Sequence, residues 1–139
     1  MPNTWEHFHH QADIGVRGIG TTKAKAFEEA AMGLTAIVTD PALVQSHREV
    51  IVHCEAPDDE LLLADWLNAV IYQMSSQNML FGQFDVHIDG QHLDAKAWGE
   101  KVSRARHSPT VEPKGATYTE LLVEQRKDGH WIAQCVVDV

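Results

Sequence analysis

From Trp5 to His10 aromatic and polar residues alternate, and after Gln11-Ala12-Asp13 the run Ile14-Gly15-Val16-Arg17-Gly18-Ile19 alternates again, the period of two expected of half-buried strands. Two short strands, or one interrupted by a bend, account for this pattern. From Thr22 the period lengthens: Ala26, Phe27, Ala30, Ala31, Leu34, Ile37 and Val38 recur at helical spacing. Thr21 or Thr22 supplies an N-cap oxygen and Pro41 closes the element, which predicts an amphipathic helix of about four turns.

Arg48–Glu55 places Val50, Val52 and Cys54 on one face of a strand and Ile51 and His53 on the other. A second helix follows, with Asp58 as N-cap and Asp59 and Glu60 where negative charge suits the helix N-terminus. Leu62, Leu63, Trp66, Leu67, Ala69, Val70, Tyr72 and Met74 supply its apolar surface along the run to Asn78. Leu80–Ile88 alternates, Asp89-Gly90 signals a hairpin, and Gln91–Gly99 forms the return strand. A last hairpin runs from Ala116 through Lys127-Asp128-Gly129 to Val139, and the longest turn-like stretch is Arg104–Gly115. Two helices among about seven strands, with hairpins rather than strand-helix-strand alternation at the end, predict a single α+β domain over residues 1–139 with a mostly antiparallel sheet.

The chain has 139 residues, 44% of them hydrophobic and 22% charged, ordinary values for one soluble domain. No stretch approaches the ~20 apolar residues of a membrane helix, and Met1–Glu6 lacks the basic start and apolar run of a secretory signal. A cytoplasmic location is therefore expected, in which Cys54 and Cys135 stay as buried thiols. The net charge of -9 disfavours tight sequence-independent binding to nucleic acid, which depends on cations displacing counterions. It suits a basic protein partner better.

Gly18-Ile19-Gly20-Thr21-Thr22-Lys23 lies between a strand and a helix, as phosphate-cradling loops do, but Lys23 occupies the third glycine position and no acidic residue follows at the required distance. The segment reads as a tight strand-to-helix turn. His7, His9 and His10 read as a surface histidine cluster, and Asp58-Asp59-Glu60 as a solvated helix start. No His-Glu-x-x-His, Cys-x-x-Cys or nucleophile-elbow motif is present, so an independent metal-dependent hydrolase finds no support. The end Val136-Val137-Asp138-Val139 is more informative. With Val139 as terminus, a side-chain carboxylate stands beside the α-carboxylate and backbone carbonyls, oxygens that suit Ca²⁺, Mg²⁺ or Mn²⁺. About six ligands are wanted, so another acidic residue must contribute, and Asp13 is the candidate.

His10-Gln11-Ala12-Asp13-Ile14-Gly15, the helical Ala26–Leu34 run and Leu61-Leu62 through Trp66-Leu67-Asn68 to Tyr72 resemble the archease family. So do Trp98-Gly99-Glu100, His107, Lys114-Gly115-Ala116-Thr117-Tyr118, and Trp131-Ile132-Ala133 leading to Asp138-Val139, in the family's order along essentially the whole chain. The resemblance implies an α+β domain and a metal held by Asp13, Asp138 and Val139. It also implies a non-enzymatic partner that speeds guanylylation of an RtcB-type, GTP-dependent tRNA-splicing RNA ligase and restores its multiple turnover. Lys114 matches a family lysine linked to activity, placed to meet a GTP phosphate or a ligase carboxylate; Glu100 is either a further ligand or an internal hydrogen-bond partner. Gln11 and Gly115 depart from the family's usual Thr and Ala, and the first bears on how Asp13 is oriented. The alternative role is a chaperone-like modulator of a tRNA methyltransferase, which needs no metal.

Overall fold

The computed structural model describes residues 3–139. Two strands, β1 (Thr4–His10) and β2 (Asp13–Gly20), open the chain, followed by helix α1 (Lys23–Val38), a 3-10 turn at Pro41–Leu43 and strand β3 (Arg48–Glu55). Helix α2 (Asp59–Gln77) leads into the hairpin β4 (Met79–Asp89) and β5 (His92–Lys101). A four-residue helix α3 (Arg104–His107), the short β6 (Gly115–Ala116) and β7 (Leu122–Gln125), and β8 (Trp131–Asp138) complete the fold. The α+β expectation holds, with one correction: the strands form two antiparallel sheets, not one. One follows the order β1-β2-β8-β6 with β7 also on β8, and the other β3-β5-β4.

The N-terminal alternation resolves into a hairpin in which His10 pairs with Asp13 and Gln11 takes a left-handed φ of 56°. Thr22 is the α1 N-cap, its side chain accepting from Lys25 N at 3.1 Å, and Asp58 caps α2 by accepting from Leu61 N at 2.8 Å. The buried stripe of α2 runs through Leu62, Leu63, Trp66, Leu67, Val70, Ile71 and Met74, at i, i+1, i+4, i+5 and onward. Tyr72 lies off that stripe and is exposed, contrary to its sequence assignment. The central hairpin turns at Gly90-Gln91 rather than Asp89-Gly90: Asp89 still pairs with His92, because Gly90 supplies the positive φ of 60° at the first loop position.

Helix α1 packs on β1, β2 and β8 of one sheet and on β4 of the other, so Ala26, Phe27, Ala30, Ala31 and Leu34 are fully buried. Two of its polar residues, Glu28 and Thr35, are buried too, and each has a partner across the interface. Glu28 accepts from Val86 N at 2.9 Å, Thr35 donates to Phe81 O at 2.6 Å, and the Phe27 carbonyl accepts from Trp66 Nε1 at 3.0 Å. Since β4 is an edge strand, Glu28 and Thr35 occupy main-chain groups that no strand pairs. Helix α2 does the same for the larger sheet: Glu60 accepts from Val123 N, and Asn68 both accepts from Ala116 N and donates to Ala116 O.

The approach of α1 to β2 needs glycine at position 18, where a Cβ would stand 2.1 Å from Ala26 O and 2.4 Å from Ala30 N. Both obstacles are helix backbone, which cannot move aside as a flexible side chain would. Gly18→Ala is therefore expected to lower stability by about 1–3 kcal/mol, read as a reduced urea midpoint; an unchanged midpoint would show that the interface accommodates the methyl group.

Candidate functional site

The sequence candidates Asp13, Asp138, Val139 and Lys114 come together at one end of the five-stranded sheet. Pairing of β2 with β8 sets Ile14 opposite Val137, so the residue before Ile14 and those after Val137 emerge side by side. Asp13 Oδ1 accepts from Val139 N at 3.3 Å. On the other side of β8, Gly115 pairs with Asp138 and Lys114 N donates to Asp138 O at 2.8 Å. Asp138 and Lys114 are exposed and Asp13 and Val139 half-buried, so the backbone gathers these four residues at an open tip. Among the described residues the Lys114 side chain has no ion-pair partner, and the bond to Asp13 comes from Val139 rather than Gln11.

Asn68 holds this tip to α2. Its two bonds to Ala116, 2.8 Å to the amide and 3.2 Å to the carbonyl, fix the residue that follows Gly115. The other end of the segment is anchored by Glu100. This carboxylate accepts from Gln45 N at 2.7 Å, from Arg106 Nη2 and from His107 Nε2 at 3.0 Å. Ser103 N donates to His107 Nδ1 at 2.8 Å, so the proton of the neutral ring is on Nε2, facing Glu100. His107 O in turn accepts from Thr39 Oγ1 and Thr110 N donates to Val38 O, tying the loop to the end of α1. Glu100 thus has an internal hydrogen-bonding role, remote from the tip in its contacts: none of its bonds is to Asp13, Lys114, Asp138 or Val139 among the described residues.

The remaining sequence candidates have structural explanations. Lys23 pairs with Asp59 at 3.1 Å and lies over the Trp131 ring at 5.4 Å, so the glycine-containing turn carries a committed lysine, and Asp59 and Glu60 are bonding partners rather than solvated charges. His7 Nε2 donates to Gly33 O at 2.7 Å, docking β1 on α1, and the N-terminal histidines do not converge on a common point. Cys54 and Cys135 are buried free thiols. Burial, then the Asp65 charge, pushes Cys54 up to about 11, and burial pushes Cys135 up to about 12, which makes both poor nucleophiles.

One constellation was not read from the sequence. Among the described residues, His53, Glu55 and His92 form the group of His, Cys, Asp or Glu side chains that could hold a metal ion, their ligand atoms all within 4.8 Å of one another. His53 and Glu55 share a strand face, a weak local signal, but His92 joins them only through the β3–β5 register.

The family model described as the Archease protein family (MTH1598/TM1083) matches residues 5–139. Protein archease of Pyrococcus furiosus is 37% identical over 139 residues, covering 97% of this chain and 98% of that protein, and protein archease of Thermococcus gammatolerans is 38% identical with the same coverage. The solution structure of Methanobacterium thermoautotrophicum protein 1598 superposes with a TM-score of 0.84 at 29% identity, covering 97% of this chain and 98% of that one. A Thermotoga maritima structure, described as "an archease, possible chaperone", shares the fold with a TM-score of 0.63 at 18% identity over 96% of each chain. These matches and the two-sheet α+β architecture assign a class: a small domain of archease fold. The chain belongs to the archease family.

Burial raises the Glu100 pKa, but the bonds from Gln45 N, His107 and Arg106 outweigh it and hold the carboxyl at about 2, against an ordinary 4.5. A depressed folded-state value means that its stabilising contribution is complete at neutral pH and is lost as the pH falls from about 4.5 through about 2. Glu100→Gln is expected to cost about 2–3 kcal/mol at pH 7, the scale of charge-assisted hydrogen bonds, with the gap to wild type closing towards pH 2. Urea midpoints across this range check it, and a gap independent of pH would contradict the assignment.

Proposed function

We propose that this protein activates an RtcB-type, GTP-dependent RNA ligase, promoting guanylylation of the ligase and its multiple turnover, by presenting the tip of Asp13, Asp138 and Val139 to a divalent cation. The observation that carries this reading is the convergence of Asp13 on Val139 N at 3.3 Å with Lys114 N on Asp138 O at 2.8 Å. Membership of the archease family supports it from the side of kinship.

The donor chemistry fits. Two carboxylates and the main-chain oxygen of Val139 are hard oxygen ligands, suited to Mg²⁺, Mn²⁺ or Ca²⁺. They are fewer than the six or more ligands such ions take, so the tip alone is an incomplete site. An incomplete, exposed, acidic site suits a role in trans: the rest of the shell comes from water, a nucleotide phosphate or the ligase. A cation there would neutralise triphosphate charge, while the Lys114 ammonium would pair with a phosphate or a ligase carboxylate. The net charge of -9 fits contact with a basic protein surface rather than with RNA.

A chaperone-like action on a tRNA methyltransferase is the second reading; the description of the Thermotoga relative as a possible chaperone bears on the chaperone part alone, and this reading requires no metal. The test is single- and multiple-turnover ligation by the cognate ligase with wild type, Asp13→Ala, Asp138→Ala and Lys114→Ala across a Mn²⁺ titration. Wild type is expected to stimulate, and each carboxylate substitution to reduce that stimulation at least about tenfold at limiting Mn²⁺. Stimulation that survives both carboxylate substitutions would remove the tip from the mechanism, and no stimulation by wild type would overturn the ligase reading.

A further inference from the structure

The outer face of the three-stranded sheet carries a second constellation, independent of the tip and of the function proposed above. The β3–β5 register sets Glu55 opposite His92 and His53 opposite Asp94. Alternation sends these four side chains away from the core, into which Val52, Cys54, Leu93 and Ala95 point. All four are exposed. His92 Nδ1 lies 3.8 Å from Glu55 Oε2, and the His53 and His92 rings stack with centroids 6.2 Å apart and planes at 26°.

We propose that His53, Glu55 and His92 form a binding site for a borderline divalent transition ion of the Zn²⁺ class, with Asp94 orienting His53. Two imidazoles and a carboxylate form a donor set suited to zinc and its neighbours rather than to Ca²⁺ or Mg²⁺. Tetrahedral ligands at about 2.0–2.1 Å from zinc stand about 3.3 Å from one another, so a pair already at 3.8 Å, and a trio within 4.8 Å, needs only small side-chain rotations. The strands hold the three Cβ atoms in place.

Asp94 settles the chemistry of His53. Its Oδ1 is 2.7 Å from His53 Nδ1; a carboxylate accepts, so Nδ1 carries the proton and Nε2 offers its lone pair to the ion. This is the carboxylate-histidine-metal arrangement in which the outer carboxylate fixes the tautomer and raises ligand basicity. Three protein ligands leave a fourth position for water or for a group from another molecule. The alternative is two separate surface pairs, His53–Asp94 and Glu55–His92, with no affinity for metal.

Zn²⁺ titration of the full chain by isothermal calorimetry, with the histidine ring signals followed by NMR, decides between them. Wild type is expected to bind one Zn²⁺ through these residues, undisturbed by millimolar Mg²⁺, with the His53 and His92 ring signals shifting together. His53→Ala and His92→Ala should each weaken binding at least about tenfold, and Asp94→Asn by about tenfold, the lower end for outer-shell partners. The doubly substituted Asp13→Asn, Asp138→Asn protein should bind as wild type does. Because the residues are exposed, these changes should leave the fold intact, which the amide spectrum reports. No saturable Zn²⁺ binding by wild type, or binding that survives removal of both histidines, would overturn the proposal.

Discussion

Buried edge strands are costly because their unpaired N–H and C=O groups lose water without gaining partners, and this chain has two sheets whose edges meet the helices. Side chains of α1 and α2 supply the missing partners. Glu28 and Thr35 take up Val86 N and Phe81 O on β4, while Glu60 and Asn68 take up Val123 N and the Ala116 amide and carbonyl beside β8. A buried carboxylate such as Glu28 is destabilising unless it is hydrogen-bonded; here its bond is also the joint between helix and sheet. The architecture rests on these cross-links, since the apolar face of α1 alone would not fix its register against β4.

The same bonding places the tip. Pairing of the first and last parts of the chain, β2 with β8, brings Asp13 to Val139, and Asn68 clamps Ala116 so that the Lys114 amide meets the Asp138 carbonyl. At the far end of the intervening loop, Glu100 binds Arg106 and His107. Glu100 thus fixes the start of the loop and Asn68 its end beside the tip. The sheet-face histidines share none of this: their positions follow from strand register alone.

Local structure was largely legible in the sequence, for physical reasons. The caps Thr22 and Asp58 act within one turn, and the helical and strand periods report which side chains face the core. The partition into two sheets was not legible, because β3 pairs with β5 rather than with a sequence neighbour and no local signal encodes that choice. Glu28 and Thr35 lie outside the set of apolar positions that marks α1 in the sequence, and their partners, Val86 N and Phe81 O, come from the second sheet. The members of the tip were nameable from residue type and family resemblance, whereas their contact depends on β2–β8 register. For Glu100, partners such as Gln45 become neighbours only on folding.

The proposed function rests on binding of a hard divalent cation by Asp13, Asp138 and Val139 together at the tip. Mn²⁺ titration followed by paramagnetic broadening of backbone amide signals tests it most directly, since broadening falls steeply with distance from the ion. Loss of signal centred on Asp13, Gly115 and Val139 is expected in wild type, and no such localised loss in Asp138→Ala. Broadening that is uniform, or centred elsewhere in wild type, would contradict it.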